Sequence, residues 1–219
     1  MRNLSVLFFL AGLALVLGAA MAQGGLAFFT GLATIADNNF TTAASFDCTA
    51  GDTGFLNPTA QAADTGGDDD GFELNPSNAF ADGGTDPNYK AENINGRGDR
   101  HRFYDYAISI PAACDTIAGF QVRLDWWLDS VSSTNSMSVE LSWDGGTSWT
   151  AAKTDTVEST TEHTTILGGS GDTWDRTWAV SELSDVNFRL RVTSNASGGG
   201  SNARDFFLDW VPVRVYYEP

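Results

Sequence analysis

Residues 116–128 read TIAGFQVRLDWWL, and this run decides the fold class. Val122, Leu124 and Trp126 alternate with Gln121, Arg123 and Asp125. Successive side chains of a strand point to opposite faces, so this period describes a strand with one apolar face. The pattern recurs downstream. Val211, Val213 and Val215 alternate with Pro212, Arg214 and Tyr216, and Arg189 and Arg191 interleave with Phe188, Leu190 and Val192. Strands are predicted over 102–110, 116–128, 136–143, 148–151, 163–167, 187–193 and 206–217. Turn signals separate them, notably Asp144-Gly145-Gly146 and the Ser/Gly cluster 197–201. Such spacing predicts an all-β chain, an antiparallel β-sandwich of jelly-roll type. Helix signals are sparse, and Ser181-Glu182-Leu183 is expected to hold one short turn.

The chain has 219 residues and a net charge of −16, with seven Trp, five Tyr and fourteen Phe. Nothing basic is concentrated enough to displace phosphate counterions, which argues against nucleic acid as a partner. The acidity reads as solubility. Its two cysteines, Cys48 and Cys114, read either as one disulfide or as two buried thiols. In a secreted chain an even pair favours the bond. The loop-entropy model puts such a closure near ~4 kcal/mol.

The N-terminus begins with Arg2, an apolar run from Leu4 to Leu17, and Ala20-Met21-Ala22, which fits the small-x-small rule for signal cleavage. A second fit, Gly25-Leu26-Ala27, would move the cut to 27. Residues 1–22 are therefore read as a signal peptide, with an uncleaved anchor as the alternative. No charge separates Arg2 from Asp37, so apolar character continues past the cut.

GGLAFFTGLATIADNNFTTAASFD, residues 24–47, resembles the N-terminal region of TasA/camelysin-type secreted fibre proteins with a SipW-type signal. Gly24, Gly25, Ala27, Phe28, Phe29, Asn38 and Phe40 carry the resemblance. The chain departs from the pattern at Ala43-Ala44, where a glycine is expected. The resemblance implies assembly by strands donated between subunits. Residues 28–36 fit that role by composition, because both faces of an extended segment are largely apolar. Phe28, Phe29, Leu32 and Ile35 are the candidate donor side chains, and an ordinary first strand of the same subunit is the alternative.

Residues 23–47 thus form a donor-type segment, 48–70 a linker or long loop, and 71–219 the sandwich domain. ISIPAACDTIAGFQVRLD, GDTWDRTWAVSEL and FLDWVPVRVYY resemble a jelly-roll module common in bacterial and phage surface proteins, which implies a fold more than a function.

Several residues are candidates for chemistry. Ser142, Asp144, Gly146 and Trp149 fit an Asp-box, in which the aspartate bonds turn amides and the Trp packs beneath the hairpin. Asp68, Asp69 and Asp70, with Asp64 and Glu73 near in sequence, offer oxygen ligands for calcium or form a solvated acidic loop. No EF-hand spacing is present, and no other cofactor is expected. Trp126 and Trp127 are adjacent, so they face opposite ways and one is expected in the core; the other is read either as core or interface packing or as an exposed platform for a sugar or a neighbouring subunit. Trp174 and Trp178 raise the same choice. Asn39 and Asn195 fit the glycosylation sequon, the second in an accessible Gly/Ser loop. His101 and His163 lack metal-ligand spacing, and no nucleophile elbow appears. Taken together, these features describe a non-enzymatic secreted protein, outside the cell or on its surface, with no membrane contact after signal cleavage. The first reading is a homopolymeric filament subunit, and the second a lectin-like carbohydrate-binding module.

Overall fold

The alternation of residues 116–128 becomes the central strand of a sandwich in the computed structural model, which describes residues 33–35, 38–40, 47–84, 86 and 88–219. The chain divides into two units, Met1–Phe46 and Asp47–Pro219. In the first unit β1 (Ala33–Ile35) pairs antiparallel with β2 (Asn38–Phe40), Ile35 opposite Asn38 and Ala33 opposite Phe40. Ile35 and Asn39 therefore sit in a two-stranded pairing. The expected signal peptide, both candidate cleavage sites and the candidate donor residues Phe28, Phe29 and Leu32 lie outside the described residues.

In the second unit eleven strands form two antiparallel sheets. They are β3 (Gly51–Asp52), β4 (Ala60–Asp64), β5 (Ala91–Asn93), β6 (Arg100–Tyr104), β7 (Thr116–Leu128), β8 (Thr134–Ser142), β9 (Lys153–Asp155), β10 (His163–Gly168), β11 (Arg189–Ser197), β12 (Phe206–Trp210) and β13 (Val213–Glu218). One sheet holds β3, β5, β7, β10, β12 and β13. β10 takes one edge of β7, while β12 and β13 share the other. The second sheet runs β4-β6-β11-β8-β9. Short 3-10 turns occupy Pro76–Phe80, Val180–Leu183 and Ser201–Ala203.

The predicted strand 206–217 divides into β12 and β13. Pro212 has no N–H for the ladder, and the Val211 N–H bonds the Ala79 carbonyl instead of β7. The stretch 48–70, expected as a linker or long loop, supplies β3 and β4 at the sheet edges. Edge strands are held by backbone pairing, which small residues such as Ala60, Ala62 and Ala63 permit without an apolar period.

The inward faces meet in one core. Phe120, Leu124, Trp126, Leu141, Leu190 and Phe206 are fully buried. Phe120 stacks on Phe188 at 5.9 Å, and Trp126 on Phe206 at 6.2 Å. Each such side chain contributes about 1.5–3 kcal/mol by leaving water. Cys48 and Cys114 form a disulfide, their Cα atoms 4.8 Å apart, which ties the start of this unit to the segment entering β7. No helix among the described residues is long and apolar enough to cross a membrane.

Candidate functional site

The outward face of the five-stranded sheet follows from register. Ala60, Tyr104 and Arg189 lie in one row, Ala62, Arg102, Arg191 and Glu140 in the next, and Asp64, Arg100, Thr193, Ser138 and Thr154 in a third. Asn195 and Ser136 continue it. These residues alternate with the buried His101, Phe103, Leu190 and Val192, so the chemistry of the face was written into the period of β6 and β11.

Its guanidiniums sit over aromatic rings or bond neighbours. Arg189 sits 4.4 Å over Tyr104 and Arg191 4.1 Å over Trp149. Arg191 also pairs with Glu140 at 2.7 Å and Asp64 at 3.2 Å. Arg102 reaches Asp64 at 3.8 Å. At one end of the face a groove of about 390 Å³ is lined by Arg97, Thr134, Ser136, Asn195 and Ser197. A larger polar hollow, about 870 Å³, opens beside Thr116, Ser170, Thr173, Arg176 and Glu218.

Above this face stands the turn of residues 142–149. Asp144 Oδ1 accepts from the Thr147 and Ser148 N–H groups at 3.1 and 2.8 Å, and from the Ser142 hydroxyl at 3.0 Å. The Gly146 N–H bonds Ser142 Oγ at 2.8 Å. Burial works against the Asp144 charge, but these donors hold its carboxyl below the ordinary range. Trp149 is half-buried at the edge of the turn, under Arg191.

The acidic run 68–70 is split by its backbone. Asp69 has φ 74° and its carboxylate accepts from the Gly66 N–H, which removes it from its neighbours. Asp68 and Asp70 instead approach Asp99, the three offering carboxylate oxygens within 4.8 Å of one another. Asp99 is 1 % exposed. Its Oδ1 accepts from the Asp68 N–H at 2.9 Å and its Oδ2 has no partner. A Cβ on Gly67 would lie 1.4 Å from Asp99 Oδ1, so only glycine permits this approach. Burial raises the Asp99 carboxyl to about 6, and a hydrogen bond with Asp68, followed by burial, raises Asp70 to about 6. Asp64 is taken by Arg102 and Arg191, and Glu73 accepts from the Ile94 N–H.

A second acidic group, Asp82, Asp125 and Asp209, lies outside the six-stranded sheet. Arg123 answers it, 2.7 Å from Asp125 and 3.5 Å from Asp82, while stacked 4.5 Å over Trp210. Burial lifts the Asp209 carboxyl to about 7, only partly offset by the Gly83 N–H.

The tryptophans singled out from sequence are not platforms. Trp126, Trp174 and Trp178 are core residues, and Trp127 is 9 % exposed. Of the two readings of Trp126 and Trp127, packing holds and the exposed platform does not: Phe207 lies 5.4 Å from the Trp127 ring, and Lys90 lies over both rings. Half-exposed aromatics are elsewhere: Tyr104, Trp143, Trp149 and Trp210. Asn195 is likewise no loop residue, because β11 runs on through Ser197. Its amide donates to Ser138 Oγ at 3.0 Å. His101 is spent inside the sandwich: Nδ1 accepts from the Phe72 N–H at 3.1 Å and Nε2 meets Gln61 at 2.7 Å. Burial lowers its pKa to about 4. His163 and the Trp126 indole N–H both bond Asp155 Oδ2.

No family model and no curated protein matches the chain. Among solved structures it is similar to a truncated AlyQ with CBM32 and alginate lyase domains, with TM-score 0.42 and 14 % identity over 78 % of this chain and 35 % of that one. It is similar to a Clostridium thermocellum xylanase 10B carrying CBM22-1 and GH10 modules in complex with xylohexaose (TM-score 0.34, 10 % identity, 59 % of this chain and 22 % of that one). A third is TmCBM61 in complex with β-1,4-galactotriose (TM-score 0.33, 10 % identity, 70 % and 86 %). The chain spans about a third of the first and a fifth of the second. The antiparallel sandwich rests on the strands described above, and these faint likenesses add nothing about a ligand.

Proposed function

We propose that this is a secreted, non-catalytic glycan-binding β-sandwich whose binding surface is the outward face of the five-stranded sheet. One observation carries the reading. In a chain of net charge −16, five of its ten arginines gather on or beside this face, among serine, threonine and asparagine side chains that rim a groove. Hydroxyl and amide groups exchange hydrogen bonds with sugar hydroxyls, and planar guanidiniums clamp carboxylate or sulfate groups in bidentate fashion. Arg97, Arg100, Arg102, Arg189 and Arg191 against Asp64 and Glu140 leave the face positive, which favours acidic saccharides. The disulfide fits an oxidising compartment and supports placement outside the cell or at its surface.

The test is calorimetric titration with neutral and uronate oligosaccharides, repeated on a glycan array. Acidic saccharides should bind more tightly at low salt and lose affinity as salt rises. Absence of binding to every saccharide would end the proposal.

The filament reading keeps only its sequence support. Among the described residues Ala33–Ile35 takes its partner strand from Asn38–Phe40. Deleting residues 23–37 and imaging the secreted material tests it, since filaments that form unchanged would rule out strand donation.

A further inference from the structure

We infer that Asp68, Asp70 and Asp99 form a calcium site that clamps the loop after β4 to the segment entering β6. Four observations support it, and none depends on the glycan reading. First, the geometry fits one ion. Calcium takes oxygens at about 2.3–2.6 Å, so two oxygens on one ion lie no more than roughly 5.2 Å apart, and these three carboxylates meet within 4.8 Å. Second, Asp99 is 1 % exposed and its Oδ2 is buried without a partner. An unpaired buried carboxylate oxygen is costly, and a cation supplies the missing partner. Third, no arginine or lysine among the described residues forms an ion pair with any of the three, whereas the Asp82-Asp125-Asp209 group is answered by Arg123. Fourth, the donor set is oxygen only. The adjacent His101 has both ring nitrogens engaged, so nothing on hand favours zinc or copper over a hard cation.

The ion would join parts of the chain that are 29 residues apart. Asp99 is zipped to β11 through the Gly98 N–H to the Ser194 carbonyl and the Ser194 N–H to the Asp99 carbonyl. Arg97 and Gly98, the two residues before it, line the groove beside Asn195. A cation held by Asp99 therefore fixes one wall of that groove, and Asp68 and Asp70 bring the exposed loop down onto it.

The experiment is thermal unfolding and calorimetry of the mature chain after dialysis against chelator, with calcium chloride, magnesium chloride or neither. Calcium in large excess should raise Tm by roughly 5 °C or more, with one site per chain, and magnesium should do less. Asp70→Asn, at an exposed position, should abolish the shift while the protein still folds. Asp69→Asn should leave it in place, since Asp69 faces Gly66. A Tm that calcium does not move, or a shift that survives Asp70→Asn, overturns the site. Because the readout is metal binding by the free protein, failure of glycan binding leaves this test intact.

Discussion

The two outward faces of the sandwich are built from the same alternation and end differently. Outside the six-stranded sheet, the chain covers itself. Lys90 lies 3.6 Å over Phe207, Gly83 reaches Asp209, and Trp127 is left 9 % exposed. Outside the five-stranded sheet, the rows of Arg, Thr, Ser and Asn remain half-open, with a groove at one end. A polar period on a strand therefore does not say whether a face will be free. What decides is whether a loop from elsewhere has side chains that can cap it. Residues 82–83 and Lys90 cap one sheet, and the short turn of residues 142–149 leaves most of the other uncovered.

The largest test of this contrast is Trp127→Ala. If the face is capped, removing the ring leaves a cavity and costs about 3–5 kcal/mol in urea unfolding, with saccharide binding unchanged. A loss below about 1 kcal/mol would mean that the cap is loose. Next, Cys48→Ser with Cys114→Ser frees the edge of the capped sheet near β3 and should cost about 2–4 kcal/mol. The change should appear equally in non-reducing and reducing buffer for the variant, and only in reducing buffer for the parent.

Asp209 gives the capped face a pH signature. Its carboxyl moves from 3.8 to about 7 on folding, with burial the chief cause. Between those values the native state holds a proton that the unfolded state has lost, so this group's contribution to stability falls as pH rises. Asp209→Asn should flatten that slope and stabilise the protein at pH 8 relative to pH 5 by about 1–2 kcal/mol, a Tm change of roughly 2–8 °C. An unchanged slope would show that folding does not shift the Asp209 carboxyl. The smallest effect on folding belongs to the open face. Arg97→Ala and Arg100→Ala should alter stability by less than ~0.5 kcal/mol. Each should weaken acidic-saccharide binding about tenfold, equivalent to ~1.4 kcal/mol.

Much of the fold was legible where strands are long and one-sided. β7 was read with its bounds because Val122, Leu124 and Trp126 mark every second position. The edges were not legible. Gly51–Asp52, Ala60–Asp64 and Ala91–Asn93 carry no apolar period, since an edge strand is chosen by its neighbour's free backbone groups. The acidic cluster was half legible. Asp68 and Asp70 lie two positions apart in sequence, but their third member, Asp99, arrives from the far side of β5, and nothing local distinguishes it from a charged turn residue. Asp69 was misleading for the opposite reason, because a left-handed backbone turns it away from its neighbours. Trp127 was left open between packing and exposure because the lysine that covers it lies 37 positions earlier.

The disulfide has a mechanical consequence. Tension applied to any residue ahead of Cys48 enters the second unit at that cysteine. It passes across the bridge to Cys114, two residues before β7. Residues 49–113, which include Asp68, Asp70, Asp99 and Arg97, lie on a side loop of that load path. A pull on the N-terminus is therefore carried by β7, whose long pairing with β10, β12 and β13 resists shear, while the open face and its acidic cluster stay slack.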